Sequence, residues 1–363
     1  MRTVEFLVAK DPVRDHTGDM AMLRLVMSLA RESMAVRFIG MGGEDASHSE
    51  GRIIQKPKVR ISALAARVLR SQRSLVHERF DSIEVRRAIA ASTADLFAAD
   101  HAYMAEPYLA TGRTEPLYTS TVVSESLVWS ATYGRLGRLQ APRILRDELR
   151  VANASRAVGT YDDDEAGFYR ERGIERTHWL DLTLPQQEGL PSRDLSVPRL
   201  AFVGDRQWRP NGEGFRVLLE LWPRISRGIV GAELVIIGRA EEGPQPPLPD
   251  GVRDLGFVPD LDGMLATCRG ILAPIRTGGG VRVKILEAAS RGIPVVGTPA
   301  AVGSLDRSLG IVAASTDEEF IDAARRLLLD PDVAQAAGDE LAARNRAHWA
   351  AGTPHRSVEA WLA

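Results

Sequence analysis

At 363 residues, 44% of them hydrophobic and with a formal net charge of −2, the chain is long enough for two domains with separate cores and has no overall electrostatic drive toward nucleic acid. It contains no run of 18 apolar residues, which excludes a helical membrane span, and its single cysteine, Cys268, can form neither an internal disulfide nor a cysteine metal site. Cys268 reads as a small buried apolar residue on a helix. The first apolar stretch stops at Lys10 and Asp11, too short for a signal-peptide core, so it is expected to form a strand, Val4–Ala9, in a cytoplasmic protein. The turn Asp15-His-Thr-Gly-Asp19 follows, then a helix carrying Met22, Leu25, Val26 and Leu29. Asp19 reads as a cap of that helix or as a contact to a substrate. Further strands are expected at Val36–Met41, Leu96–Ala99, Leu117–Val123 and Ala157–Tyr161. Between them, Arg52–Arg87 holds ten Lys or Arg and only three acids. Ile61, Leu64, Ala65, Val68 and Leu69 would form one helical face there, with Arg60, Arg67 and Arg70 on another, which reads as a solvated face or as a surface for an anionic membrane. Asp162-Asp163-Asp164 lies between a strand and a helix and reads as a helix cap, the alternative being an Asp-x-Asp divalent-metal motif.

Leu182–Arg199, with Pro185, Pro191 and Pro198 and little periodicity, reads as a linker. Beyond it strands are expected at Leu200–Val203, Leu234–Ile237, Gly270–Ala273 and Pro294–Gly297, and after Pro331 the chain is helical as far as its aromatics Trp349 and Trp361. Strands alternating with helices in both halves predict two parallel α/β domains, whose ligands bind beyond the carboxyl ends of the strands. The densest signal is ILAPIRTGGGVRVKILEAASRGIPVVGT, Ile271 to Thr298. Gly278, Gly279 and Gly280 can take positive φ and turn backbone N–H groups toward an anion, a helix from Val281 to Ser290 adds its positive end, and Arg282 and Lys284 add full charges. Glu287, about one and a half turns beyond Arg282, can accept hydrogen bonds from a ribose. The pattern suits a nucleotide.

Gly204, Trp208, Pro210 and Asn211, then Gly256 to Val258 and Asp260, then Ala273, Pro274, the three glycines, Arg282, Lys284 and Leu286 to Ala288, and finally Gly292, Pro294 to Val296 and Thr298 follow one another in a single order. In this the chain resembles the C-terminal half of retaining glycosyltransferases of family 4, in the bacterial branch with a GGGxRxKxLEA motif. The resemblance implies the GT-B fold: two Rossmann-like domains facing across a cleft, with a C-terminal helix crossing back to the first. The expected division is residues 1–181 on the acceptor side, linker 182–199, a nucleotide-sugar domain 200–345, and the returning helix 346–363. It implies further that Gly18 in the first turn points at the donor diphosphate, that Gly204, Phe257 and Val258 meet the nucleotide beside Gly278 to Gly280 and Glu287, and that Arg282, Lys284 and His101 serve catalysis. His101 lies in Asp100-His-Ala-Tyr-Met-Ala-Glu-Pro-Tyr108, similar to an E-H-x-Y-M stretch, and an exposed structural histidine is the other reading.

The implied activity is transfer of a hexosyl or 6-deoxyhexosyl group from a nucleoside diphosphate to a glycan or lipid-linked acceptor, with retention, in polysaccharide biosynthesis. No cofactor or metal is expected, no nucleic acid is a partner, and the protein is cytoplasmic with peripheral contact to the inner membrane as an option. The chain departs from the family at Ser120-Thr-Val-Val-Ser-Glu-Ser126: relatives carry D-E-H-N-x-E-S, and their histidine, which contacts the donor sugar near its primary hydroxyl, is Val122 here. Two other readings therefore stay open, a catalytically silent scaffold and a sugar-nucleotide epimerase of the same architecture.

Overall fold

The computed structural model describes residues 1–15, 17–58, 60–121, 124–189, 192, 196–277 and 280–363. They form two compact units, Met1–Leu182 joined by Thr353–Ala363, and Thr183–Gly352. The first contains strands β1 (Thr3–Val8), β2 (Ala35–Gly42), β3 (Ala46–His48), β4 (Gly51–Gln55), β5 (Leu96–Ala99), β6 (Leu117–Thr121), β7 (Ala157–Thr160) and β8 (Thr177–Trp179). They make one sheet in the order β3-β4-β2-β1-β5-β6-β7-β8, parallel throughout except for the β3–β4 pair. The apolar run of β1 is explained by its place: with neighbours β2 and β5 and both faces covered, it has no solvent side to alternate with.

The final helix, Thr353–Trp361, belongs to this first unit. Its Trp361 is buried, set edge-on to Tyr118 at 6.3 Å, and the Tyr118 hydroxyl donates to the Ala363 carbonyl at 2.6 Å. Gly159 on β7 leaves room for it, since a Cβ there would stand 3.2 Å from the indole. The helix begins at Thr353 and not at 346, because Pro331–Ala350 runs on as a single helix of the second unit until Gly352, at φ 71°, ends it.

In the second unit, β9 (Arg199–Val203), β10 (Glu233–Ile237), β11 (Val252–Gly256), β12 (Gly270–Ala273) and β13 (Val295–Gly297) form a parallel sheet ordered β11-β10-β9-β12-β13. Alternate residues of each strand enter different cores. Leu200, Phe202, Leu234, Ile236 and Leu272 pack with Trp222 and Phe320 of the covering helices, while Ala201, Val235, Ile237 and Ile271 pack with Leu265 and Ala288. Cys268 lies in the latter core, just beyond the Leu261–Ala266 helix and not on it. The expected linker is in part docked: the Asn345 amide donates to the Leu184 carbonyl at 3.0 Å, and the Gln187 N–H to the Ser290 carbonyl at 2.9 Å. Leu190, Pro191 and residues 193–195 of that stretch lie outside the described residues.

Candidate functional site

Four strands of the second unit end in glycine-bearing turns: Gly204 after β9, Gly238 after β10, Gly256 closing β11 and Gly280 after β12. Close approach explains two of them. A Cβ on Gly238, which has φ 122°, would stand 2.2 Å from the Gly204 carbonyl oxygen, and a Cβ on Gly204 would meet the Asn211 amide at 2.9 Å. Asn211 is thereby free to donate to the Asp205 carbonyl at 2.9 Å and to accept from the Lys284 ammonium at 2.8 Å.

Lys284 is the central group of this arrangement. It lies in the first turn of the helix Val283–Ser290, with its Nζ 5.5 Å from the centre of the Phe202 ring. Its polar partner among the described residues is the neutral Asn211, and no carboxylate stands within ion-pair distance of it. Burial pushes its pKa down to about 8. A desolvated cation without a carboxylate partner among the described residues, in the first turn of a helix, suits an anion.

Glu287 follows one turn later on the same helix. Its carboxylate accepts no hydrogen bond from the described residues, and burial raises its pKa, with Arg291 opposing and Asp262 reinforcing the shift. The expected pairing of Lys284 with Arg282 on one anion is altered. The helix starts at Val283, not Val281, because Arg282 occupies the cap position with φ −97° and ψ 52°. Its guanidinium donates to the Gly280 carbonyl at 2.6 Å and lies over Gly303, where a Cβ would come within 2.1 Å of it. The two cations are thus held by different partners. Gly280 has φ 79°; Gly278 and Gly279 lie outside the described residues. Phe257 is 85% exposed just beyond β11, and Val258 is half-buried.

Sequence reasoning missed what holds these strand ends together. Arg206, only 1% exposed, donates to Asp254 through two bonds of 2.6 and 2.9 Å, to the Gly238 carbonyl at 3.1 Å and to the Arg239 carbonyl at 3.3 Å. Thr277 ties the glycine turn to the helix Arg209–Ile225 by donating to Glu213 at 2.9 Å. A separate cavity of about 500 Å³, lined by Val217, Leu221, Ile275, Thr298 and Phe320 among others, includes none of the predicted site residues.

The first unit has its own cluster beyond the carboxyl ends of its strands. Gly18 opens the helix Gly18–Ala30, and Asp19 beside it does not cap: position Thr17 is the cap, and the Asp19 carboxylate pairs with Lys10 at 2.6 Å. The Asp19 carboxylate therefore carries its own cation. His101, after β5, is buried and not exposed, stacked on Tyr103 with ring centres 4.7 Å apart. Burial lowers its pKa to about 4 against the opposing charge of Asp19, with Lys10 and Lys56 adding to the fall. Its Nδ1 is 3.7 Å from Asp100 Oδ2, beyond hydrogen-bond reach, and neither atom has a hydrogen-bond partner among the described residues. A neutral imidazole of this kind can donate or accept one hydrogen bond and cannot act as an acid near pH 7.

Two other expectations meet side chains here. Asp162 caps the helix Asp163–Arg170, accepting from the Asp164 N–H at 2.9 Å. Arg67, by contrast, does not join a free basic face: it donates to the Glu78 carboxylate at 2.8 Å and to the Glu78 and Asp81 carbonyls. Of the other two, Arg60 sits at the cap position before the helix Ile61–Ser71 and Arg70 in its last turn, next to Leu69, which is 73% exposed. Val122 lies outside the described residues.

Glu125, of the Glu-Ser pair shared with the family pattern, has its pKa raised to about 7 by burial and by the charge of Glu148, with a hydrogen bond from Trp129 working the other way. Because the folded protein holds this proton more tightly than the unfolded chain, the stability it gives is complete below about pH 4.5 and lost as the pH rises through 7. Glu125→Gln is therefore expected to equal the wild type in stability at pH 4 and to exceed it at pH 8 by up to about 3 kcal/mol. Thermal unfolding at the two pH values checks this, and equal stability at pH 8 would remove the buried acid from the account.

Residues 197–330 match the family model described as glycosyl transferases group 1. No curated protein matches the chain. Among solved structures, sucrose-phosphate synthase from Thermosynechococcus elongatus is similar at 15% identity and a TM-score of 0.73, over 97% of this chain and 96% of that one. WaaG, a glycosyltransferase involved in lipopolysaccharide biosynthesis, is similar at 15% identity and 0.70, over 98% of each. HepE from Anabaena, in complex with UDP-glucose, is similar at 13% identity and 0.67, over 100% and 99%. The fold is GT-B, with two Rossmann-like units. Family match and fold together support a GT-B glycosyltransferase.

Proposed function

We propose that the protein transfers a hexosyl or 6-deoxyhexosyl group from a nucleoside diphosphate to a glycan or lipid-linked acceptor, with retention at the anomeric carbon. The observation that carries this reading is Lys284, a desolvated ammonium without a carboxylate partner, one helical turn from the unbonded carboxylate of Glu287. The ammonium suits a diphosphate and the carboxylate a ribose, and HepE, of like fold, has been solved with UDP-glucose. In the reaction the bond from the anomeric carbon to the diphosphate breaks, a bond to the acceptor oxygen forms on the same face, and the acceptor proton passes to the leaving phosphate oxygen. The protein's part is to hold the charge that grows on the leaving group, through Lys284, Arg282 and backbone amides of the glycine turn.

In the first unit His101, neutral at working pH, would hold a hydroxyl by one hydrogen bond. No metal is assigned to the site, since Asp162 is already used as a cap. Leu69 and Arg70 of the helix Ile61–Ser71 would supply peripheral contact with an anionic membrane. The test is calorimetric titration with UDP, GDP, dTDP and ADP. One of them should bind, and Glu287→Ala should weaken that binding by about 1.5–3 kcal/mol, the usual worth of hydrogen bonds to a charged group. Affinity for none of the four would overturn the reading, and unchanged affinity in Glu287→Ala would take Glu287 out of the site.

A further inference from the structure

We propose that the first unit carries a subsite for an anionic substituent, a carboxylate or phosphate on the acceptor, formed by Lys56 and Arg79 at the far end of an aromatic stack that starts at His101. This rests on the reading above that the first unit receives the acceptor. The stack is continuous: His101 lies on Tyr103 at 4.7 Å and 25°, Tyr103 lies on Phe80 at 4.2 Å and 26°, and Lys56 Nζ stands 5.7 Å from the centre of the Phe80 ring. Lys56 is half-buried just after β4, and Phe80 closes the helix Leu75–Phe80 next to Arg79.

Neither Lys56 nor Arg79 has an ion-pair or side-chain hydrogen-bond partner among the described residues. The acids that reach Lys56 electrostatically are Asp15 and Asp19, and both are engaged elsewhere. Asp19 pairs with Lys10 at 2.6 Å, and Asp15 accepts from the Asp11 N–H at 2.9 Å. Burial lowers the pKa of Lys56, and the positive charges of Lys10 and Arg79 lower it further, so the cluster carries an excess of positive charge that a bound anion would relieve. The neutral His101 offers a hydrogen-bond group at one end of the stack, and Lys56 and Arg79 offer positive charge at the other, which suits a sugar with a hydroxyl toward His101 and its charge toward Lys56.

The experiment is calorimetry at fixed ionic strength on the full chain, first saturated with whichever nucleoside diphosphate binds so that the second unit's anion site is closed. The probes are methyl glucoside, glucuronate and glucose 6-phosphate. The anionic probes should bind about tenfold or more tighter than methyl glucoside, consistent with the worth of one charge-assisted hydrogen bond. Lys56→Gln should abolish that advantage, Lys56→Arg should keep most of it, and Arg79→Gln, at an exposed position, should reduce it without the risk of misfolding. A larger gain for glucuronate assigns a carboxylate, and a larger gain for glucose 6-phosphate assigns a phosphate. Equal binding of all three probes, or an advantage that survives both Lys56→Gln and Arg79→Gln, overturns the subsite. If no nucleoside diphosphate binds yet the anionic probes bind in a Lys56-dependent way, the donor reading fails and the subsite stands.

Discussion

Lys284→Met is expected to lower turnover by about two to three orders of magnitude while weakening nucleoside diphosphate binding by much less, because removing one preorganised charge from a developing anion costs about 2.7–4 kcal/mol in the transition state. The ammonium has the Asn211 amide oxygen at 2.8 Å and an aromatic ring as company, and its pKa has fallen from 10.5 to about 8. At pH 8 it is therefore about half protonated in the free protein, and a diphosphate draws the proton back. Binding at pH 8 should take up close to half a proton, read as a difference in calorimetric enthalpy between buffers of unequal ionisation heat, and Lys284→Met should show none. The sign in stability is opposite to that of Glu125. Between pH 8 and 10.5 the unfolded chain binds more protons here than the folded one, so folding stability gained from this group rises with pH across that window. Lys284→Met, freed of a buried charge, should unfold at a temperature no lower than the wild type at pH 7. Turnover lost together with thermal stability would instead mark Lys284 as a structural residue.

The stretch from β12 to the following helix was legible because it combines a strand buried on both faces, three adjacent glycines and a helix with periodic apolar residues, each a local signal. The helix start was misplaced by two positions, since nothing local reveals that Arg282 folds back to the Gly280 carbonyl and occupies the cap. Strands β3, β4, β8 and β11 escaped notice for another reason. Val252-Arg-Asp-Leu-Gly256 lies at the edge of its sheet, where one side needs no apolar cover, and its charges disguise it. The pairing of Asp19 with Lys10 crosses a turn of nine positions, and that of Arg206 with Asp254 spans 48, so neither has a sequence period to betray it. His101 was found through resemblance alone; its burial and its stack on Tyr103 depend on Phe80, brought there by a different helix.

Arg206→Ala should be the most destabilising single change in the second unit outside its apolar cores. The guanidinium is almost wholly buried, lies 4.8 Å from the Phe215 ring, and connects the turn after β9 to Asp254 on β11 and to the carbonyls of Gly238 and Arg239 after β10. Truncation takes the cation from the Asp254 carboxylate, which keeps only the Gly256 N–H at 3.1 Å, and the guanidinium donor from the Gly238 carbonyl, while the Arg239 carbonyl keeps the Arg206 backbone N–H at 2.9 Å. Breaking a buried pair commonly costs about 3–5 kcal/mol, but the Asp254 side chain keeps 26% exposure and can recruit water, so a loss of about 2–3 kcal/mol is the better expectation. Arg206→Lys should recover little of it, because an ammonium cannot reproduce the planar fork that reaches a carboxylate and two carbonyls at once. Arg206→Met with Asp254→Leu should recover more, since no charge is then left unpaired. The same three strand ends carry Gly204, Gly238 and the turn before Phe257, so nucleoside diphosphate affinity should fall in Arg206→Ala although no atom of Arg206 is assigned a ligand contact. Denaturant unfolding of the three variants, with calorimetric titration of each below its transition, separates the possibilities. A stable Arg206→Ala with unaltered affinity would show that the strand ends keep their places without the ion pair.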